Sequence, residues 1–134
     1  MKVSLANLEK IEQLKAEPYN QTEFNGLLIA GKKRLKDAQN KTLEFESRFD
    51  LAYNAAHSLA LAALRRKNYR STSRYIVFQA LQHTTNLSAD KWKILSICHN
   101  RRNLAEYEGY FEVDEQLLNE MIAVTQSLLD LLEH

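Results

Sequence analysis

Apolar side chains recur at steps of three and four residues over much of the chain, which is the spacing of amphipathic helices. The strongest pattern predicts a helix from about Thr42 to Lys67. Its apolar positions are Phe45, Phe49, Ala52, Ala56, Leu59, Ala60 and Ala63. A second long helix is expected to open at Asp114. Its apolar seam is Leu117, Leu118, Met121, Val124, Thr125, Leu128 and Leu131.

Two further helices are predicted before this first pattern. Ser4 can cap a helix that reaches about Lys15, and a second helix runs from Gln21 or Thr22 to about Gln39. Gly26 and Gly31 lower the helix propensity of that second segment. Residues 1–40 are therefore expected to form short helices at the periphery of the fold.

The middle of the chain predicts two more helices separated by short loops. Residues 68–71 are expected to form a loop, with Ser71 or Thr72 capping a helix that continues to about Thr85. Ser88 can cap the next helix, which runs from about Ala89 to Glu106. Gly109 then supplies the residue that ends it.

The composition restricts the fold class. The chain has 134 residues, of which 45% are hydrophobic and 26% charged, as expected for one globular domain. No glycine or proline occurs between Gly31 and Gly109, so the turns that a sheet protein needs are missing from that stretch. The sequence predicts an all-α protein. Its expected architecture is an up-down four- to five-helix bundle, formed by residues 42–131, with one or two short N-terminal helices.

The same residues narrow the cellular context. Cys98 is the single cysteine, which excludes a disulfide framework and a multi-thiolate metal site and favours a reducing cytoplasm. No run of eighteen apolar residues occurs, so no membrane-spanning segment is expected. Leu132, Glu133 and His134 match the start of a common expression tag, so His134 is not expected to be a functional residue.

Charge is unevenly distributed although the net charge is only +1. The segment from Arg65 to Arg102 carries nine cations and one acid, whereas the segment from Asn103 to His134 carries eight acids and no lysine or arginine. The nine cations are Arg65, Arg66, Lys67, Arg70, Arg74, Lys91, Lys93, Arg101 and Arg102. A basic segment of this kind can bind phosphate groups. Alternatively, it can pair with the acidic last helix, within the chain or across a dimer.

One stretch, from Cys98 to Tyr110, holds a dense set of polar residues. His99, Arg102 and Glu106 follow one another at three- and four-residue steps and therefore share one face of a helix. They form either a functional site or an internal ion pair of Arg102 with Glu106 beside a hydrogen-bonded His99. His57 is expected to be a core or interface histidine, and His83 a surface residue. No hydrolase triad, phosphate loop or di-iron motif is present, so no metal or cofactor is expected.

Two short motifs carry a resemblance to a known superfamily. The first is SRFDLAYNAA at residues 47–56, and the second is RRNLAEY at residues 101–107. With the order of the helices, they resemble the HEPN superfamily of small prokaryotic helical domains, over roughly residues 42–131. Members of that superfamily are usually dimeric. They include RNA-cleaving toxins, partners of a minimal nucleotidyltransferase, and non-catalytic nucleotide- or RNA-binding modules.

The resemblance implies where a site lies. Catalytic members carry an arginine followed by a polar residue, and a histidine a few positions later. Arg102 and Asn103 match the first part, whereas Tyr107 stands in the place of the histidine. A phenol with a pKa of about 10 exchanges protons poorly near neutral pH, whereas imidazole does so readily.

Three hypotheses follow. The first is a non-catalytic, dimeric, HEPN-like domain that binds a nucleotide or RNA phosphate. Its predicted ligand-binding residues are Arg102, Asn103, Tyr107, Arg101, Arg74 and Arg70. The second is a metal-independent ribonuclease, similar to a toxin, in which His99 acts with Arg102. The third is a structural module that binds a partner such as an antitoxin-type protein or a cognate nucleotidyltransferase.

Overall fold

Helices make up most of the computed structural model, which describes residues 4–10, 13–109 and 113–133. The helices are α1 Leu5–Lys10, α2 Gln21–Ala38, α3 Phe45–Arg66, α4 Arg74–Gln79, α5 Leu81–Thr84, α6 Ala89–Glu108 and α7 Glu115–Glu133. Two short strands, β1 Lys15–Ala16 and β2 Tyr69–Arg70, pair in antiparallel orientation. The predicted all-α fold class is confirmed.

Helix α3 lies at the centre of the molecule and contacts α2, α4, α5, α6 and α7. Its buried face is rich in small residues, and its fully buried alanines are Ala52, Ala55, Ala56, Ala60, Ala62 and Ala63. Small side chains let neighbouring helix axes come close, so α3 can be surrounded on several sides. Helix α7 packs on α2, α3 and α6, and its seam from Leu118 to Leu132 closes the core.

Helix α2 belongs to the bundle, although its glycines predicted a peripheral position. It extends over 18 residues and packs along α3, with Phe24, Leu35 and Ala38 buried. A Cβ atom at Gly31 would lie 2.6 Å from Leu59 Cδ2, so the absence of a side chain permits the contact. The glycine that weakens an isolated helix is thus the residue that lets two helices meet closely.

The N-terminal segment is the part of the fold that the sequence predicted least well. Helix α1 ends at Lys10 rather than near Lys15, because Lys15 pairs with Arg70 in the small sheet. The expected loop at residues 68–71 contains the other strand, β2. Ser4 does act as a cap, since its Oγ accepts a hydrogen bond from the Asn7 backbone nitrogen at 3.1 Å.

In the second half of the chain, the helix ends lie close to their predicted positions, but one predicted helix is divided in two. The helix predicted to reach Thr85 is divided into α4 and α5, and its cap is Ser73, whose Oγ accepts from the Ile76 nitrogen at 3.3 Å. Gly109 follows α6 with a φ of 77°, the left-handed conformation expected of a helix-ending glycine. Asp114 Oδ1 accepts from the Leu117 nitrogen at 2.8 Å, which confirms it as the start of α7.

A buried arginine ties the N-terminal segment to the bundle. Arg65 of α3 is 1% exposed, and it donates to the backbone oxygens of Glu17 at 2.8 Å and Pro18 at 2.5 Å and to Glu23 Oε1 at 2.5 Å. Arg70 of β2 completes the cluster by pairing with both carboxylates. Because each charged group in this network has an oppositely charged partner, burial of Arg65 is compensated.

Candidate functional site

The candidate site is built where α3, α4 and α6 meet. Tyr53 of α3 is fully buried and His99 of α6 is 8% exposed. The Tyr53 Oη lies 2.9 Å from His99 Nδ1, and the two rings meet edge to edge, with an interplanar angle of 17° and centroids 6.1 Å apart. Phe78 of α4 contacts both rings, at 5.8 Å from Tyr53 and 5.9 Å from His99. These aromatic contacts hold the polar groups in fixed positions.

Two arginines from different helices lie over the same tyrosine. The guanidinium carbon of Arg74, from α4, is 5.5 Å from the centroid of the Tyr53 ring, and that of Arg102, from α6, is 5.0 Å from it. Both distances are within the range of cation–π attraction. We call the surface formed by Arg74, Arg102 and Asn103 above Tyr53 and His99 the arginine site.

The arginines have different partners within the chain. Arg74 Nη1 donates to Asn54 Oδ1, a neutral amide oxygen, at 3.2 Å. Arg102 Nη1 lies 2.8 Å from Glu106 Oε2, so the internal ion pair that the sequence offered as the alternative to a functional site is present. The side chain of Arg102 is 27% exposed and that of Glu106 is 48% exposed. This ion pair is open to solvent, so an incoming anion can compete for the guanidinium.

Hydrogen bonds engage both nitrogens of the His99 ring. Nδ1 faces Tyr53, and Nε2 lies 3.2 Å from Asn103 Nδ2. Because an amide nitrogen only donates, Nε2 is the acceptor and Nδ1–H donates to the Tyr53 oxygen. Burial lowers the pKa of His99, and the charges of Arg102 and Arg74 lower it further. His99 is thus held in its neutral form beneath the two guanidinium groups.

Burial also keeps the Tyr53 phenol neutral. It raises the pKa of Tyr53 above its ordinary value, although a hydrogen bond from Arg74 and the charges of Arg74 and Arg102 act in the opposite direction. The two guanidinium groups therefore lie over an uncharged tyrosine ring. Such an arrangement attracts anions and offers planar hydrogen-bond donors that suit phosphate oxygens.

An exposed tyrosine borders the arginine site. Tyr75 follows Arg74 in α4, is 48% exposed, and its ring centroid lies 6.4 Å from that of His99. Neither Tyr53 nor Tyr75 was among the residues predicted from the sequence. Adjacency to Arg74 was the one signal for Tyr75, and Tyr53 lay inside the motif at residues 47–56 without an assigned role.

The structure brings together three of the predicted ligand-binding residues, Arg74, Arg102 and Asn103, and with them His99. Arg70 lies elsewhere, in the ion-pair cluster with Glu17 and Glu23.

Arg101 and Tyr107 also lie outside the arginine site. Arg101 lines a groove between α6 and the acidic start of α7, together with Asp114 and Glu120. Tyr107 is 78% exposed at the end of α6.

Several cations of the basic segment pair with acids outside the last helix. Arg65 and Arg70 pair instead with Glu17 and with Glu23 of α2. Arg101 does border the acidic start of α7. The charge blocks are thus divided among several local clusters.

The remaining candidate residues, Cys98 and His57, have surroundings typical of residues with a structural role. Burial raises the pKa of the Cys98 thiol to about 12, so it remains protonated. His57 is half-buried with its ring at 6.0 Å from that of Phe78, as expected of a core histidine. Within residues 4–10, 13–109 and 113–133, no group of three or more histidine, cysteine or acidic side chains could hold a metal ion.

The chain matches no family model, no curated protein and no solved structure. Over the described part of the chain, no helix has the length and apolar character needed to span a membrane.

Proposed function

We propose that this chain is a HEPN-like domain that binds a phosphate group of a nucleotide or RNA at the arginine site. The observation that carries the proposal is the convergence of Arg74 and Arg102, from two helices, on one buried tyrosine ring. Both guanidinium groups approach the same ring, and guanidinium groups donate the paired hydrogen bonds that phosphate oxygens accept.

The binding is proposed to be non-catalytic. Metal-free RNA cleavage needs a group that exchanges a proton near neutral pH. His99 is buried, both of its nitrogens are engaged, and its pKa is lowered. The site has two cations for binding, whereas both imidazole nitrogens are occupied by hydrogen bonds within the chain, which favours recognition over cleavage.

A binding measurement at low salt tests the proposal, because phosphate contacts are strongest there. We expect the protein to bind nucleoside monophosphates and short single-stranded RNA. Arg74→Ala and Arg102→Ala should each weaken binding about tenfold or more, since each removes a charge-assisted contact. Lys93→Ala is a matched control, because Lys93 is an exposed cation of the same helix as Arg102. Absence of binding by the unmodified protein, or equal binding by all three variants, would overturn the proposal.

A cleavage assay without metal separates this proposal from the ribonuclease hypothesis. We expect no cleavage of RNA by the unmodified protein. Cleavage by the unmodified protein that disappears in Arg102→Ala and in His99→Ala would make the protein a ribonuclease instead.

A further inference from the structure

The position of Tyr75 suggests a specific role in the arginine site. An exposed aromatic residue is unremarkable by itself, since much of any protein surface is apolar. Tyr75 is distinguished by what surrounds it. Its ring contacts His99, which is hydrogen-bonded to Tyr53, and the guanidinium groups of Arg74 and Arg102 lie over Tyr53.

Among the described residues, the other exposed tyrosines, Tyr19 and Tyr107, lack these surroundings. Tyr19 contacts Phe24 near the N-terminal ion-pair cluster. Tyr107 is the most exposed of them and lies at the end of α6. In the described part of the chain, Tyr75 is the tyrosine that is both exposed and in direct contact with His99 of the arginine site.

We infer that Tyr75 is the stacking platform for a nucleobase, so the ligand of the arginine site is a nucleotide unit rather than a phosphate alone. The inference rests on the proposed function, because the phosphate of that unit binds Arg74 and Arg102. Nucleobases stack on tyrosine rings whatever their identity, since every base has a π-face. Tyr75 therefore adds affinity for the base without selecting one base.

The position of Tyr75 in α4 explains why the residue stays exposed while its helix is held in place. Tyr75 lies beside Arg74 near the start of α4, where Ser73 caps the helix. The buried neighbours Ile76, Val77 and Phe78 fix this helix against the core. The tyrosine is therefore presented from a rigid element, which reduces the entropy lost when a base binds.

The experiment compares ligands that share a phosphate but differ in the base. Affinities for the four nucleoside 5′-monophosphates and for ribose 5-phosphate are measured by calorimetry or equilibrium dialysis at low salt. The proteins are the unmodified chain, Tyr75→Ala, Tyr75→Phe and the matched control Tyr107→Ala, each checked for folding by circular dichroism.

We expect the unmodified chain to bind the nucleotides about tenfold more tightly than ribose 5-phosphate. Tyr75→Ala should remove most of this preference while leaving the affinity for ribose 5-phosphate unchanged. Tyr75→Phe should keep the preference, since the ring remains, and Tyr107→Ala should behave as the unmodified chain.

Two results would overturn the inference, and they are distinguishable from failure of the proposed function. If ribose 5-phosphate binds as tightly as the nucleotides, the phosphate site stands and the base platform does not. If the preference for nucleotides persists in Tyr75→Ala, the base binds elsewhere. If neither class of ligand binds, the proposed function fails and the inference fails with it.

Discussion

His57 and His99 both contact the ring of Phe78, in surroundings that favour the neutral imidazole. Burial lowers the pKa of His57 to about 4 from an ordinary value of 6.5, and the charges of Arg74 and other cations act in the same direction. The unfolded chain therefore binds protons at these positions before the folded chain does. The consequence is a fold whose stability depends on pH in the mildly acidic range.

We predict that the free energy of unfolding falls as the pH decreases from 6.5 towards 4, the window set by the unfolded and folded pKa values of His57. The stabilisation is complete above the unfolded pKa and is lost as the pH falls towards the folded one, because protonation then favours the unfolded chain. His57→Gln should flatten this dependence, and His99 should account for part of the remainder. Urea denaturation between about pH 8 and about pH 5 measures it. An unchanged pH dependence in His57→Gln would contradict the assignment.

Arg65 provides the second prediction at this scale. Its side chain is 1% exposed and binds two backbone oxygens of residues 17 and 18 as well as the Glu23 carboxylate. Arg65→Ala should lower the free energy of unfolding by about 3 kcal/mol, because it leaves these acceptors without their partner. Substitution of the exposed Lys67, which directly follows α3, by alanine should change it by less than about 0.5 kcal/mol. Equal effects in the two variants would show that the Arg65 cluster contributes no stability.

Among the helices, α2 contains two glycines, Gly26 and Gly31, whose surroundings differ. A Cβ atom at Gly31 would lie 2.6 Å from Leu59 Cδ2 and 2.7 Å from Leu59 Cγ, whereas nothing lies within 4 Å of one at Gly26. Leu59 is fully buried, so it has little space in which to move. Both glycines lower helix propensity, but only Gly31 also makes a close helix–helix contact.

We predict opposite effects for the same substitution at these two positions. Gly26→Ala should raise the free energy of unfolding by about 0.5–1 kcal/mol, through helix propensity alone. Gly31→Ala should lower it by about 1–3 kcal/mol, because the strain against Leu59 exceeds the gain in propensity. Chemical denaturation of the two variants tests this. Stabilisation by Gly31→Ala would mean that α2 and α3 are less closely packed than described.

The elements also show which parts of the fold the sequence could predict. Helices α3 and α7 follow from local periodicity, and Gly109 and Asp114 mark helix ends through local backbone chemistry. The small sheet joins residues more than fifty positions apart, and no local pattern encodes such pairing. The role of α2 likewise depends on the approach of Leu59, a residue of another helix.

In the folded molecule, the cations of the basic segment from Arg65 to Arg102 belong to several clusters with different roles. Arg65 and Arg70 hold the N-terminal segment, and Arg101 borders α7, whereas Arg74 and Arg102 converge on Tyr53. The sequence identified all five as cations of one segment. It could not separate them, because their roles depend on which helices the bundle brings together.

Packing between helices also brings into the site two residues that the sequence did not indicate, Tyr53 and Tyr75. Arg102, Asn103 and His99 share one helix, so their proximity followed from helical geometry. Tyr53 and Tyr75 join them only through the packing of α3 and α4 against α6. An aromatic residue of an apolar segment is more often part of the core, so no sequence pattern assigned these two tyrosines to the site.

If Arg74 and Arg102 form one phosphate-binding site, their contributions to ligand binding are coupled, and a double-mutant cycle measures that coupling. Binding of a nucleoside 5′-monophosphate at low salt is measured for the unmodified chain, Arg74→Ala, Arg102→Ala and the double variant. We predict that each single substitution weakens binding and that the double variant loses less than the sum, with a coupling of about 0.5–3 kcal/mol. Strictly additive losses, or unchanged affinity in Arg74→Ala, would contradict a shared site.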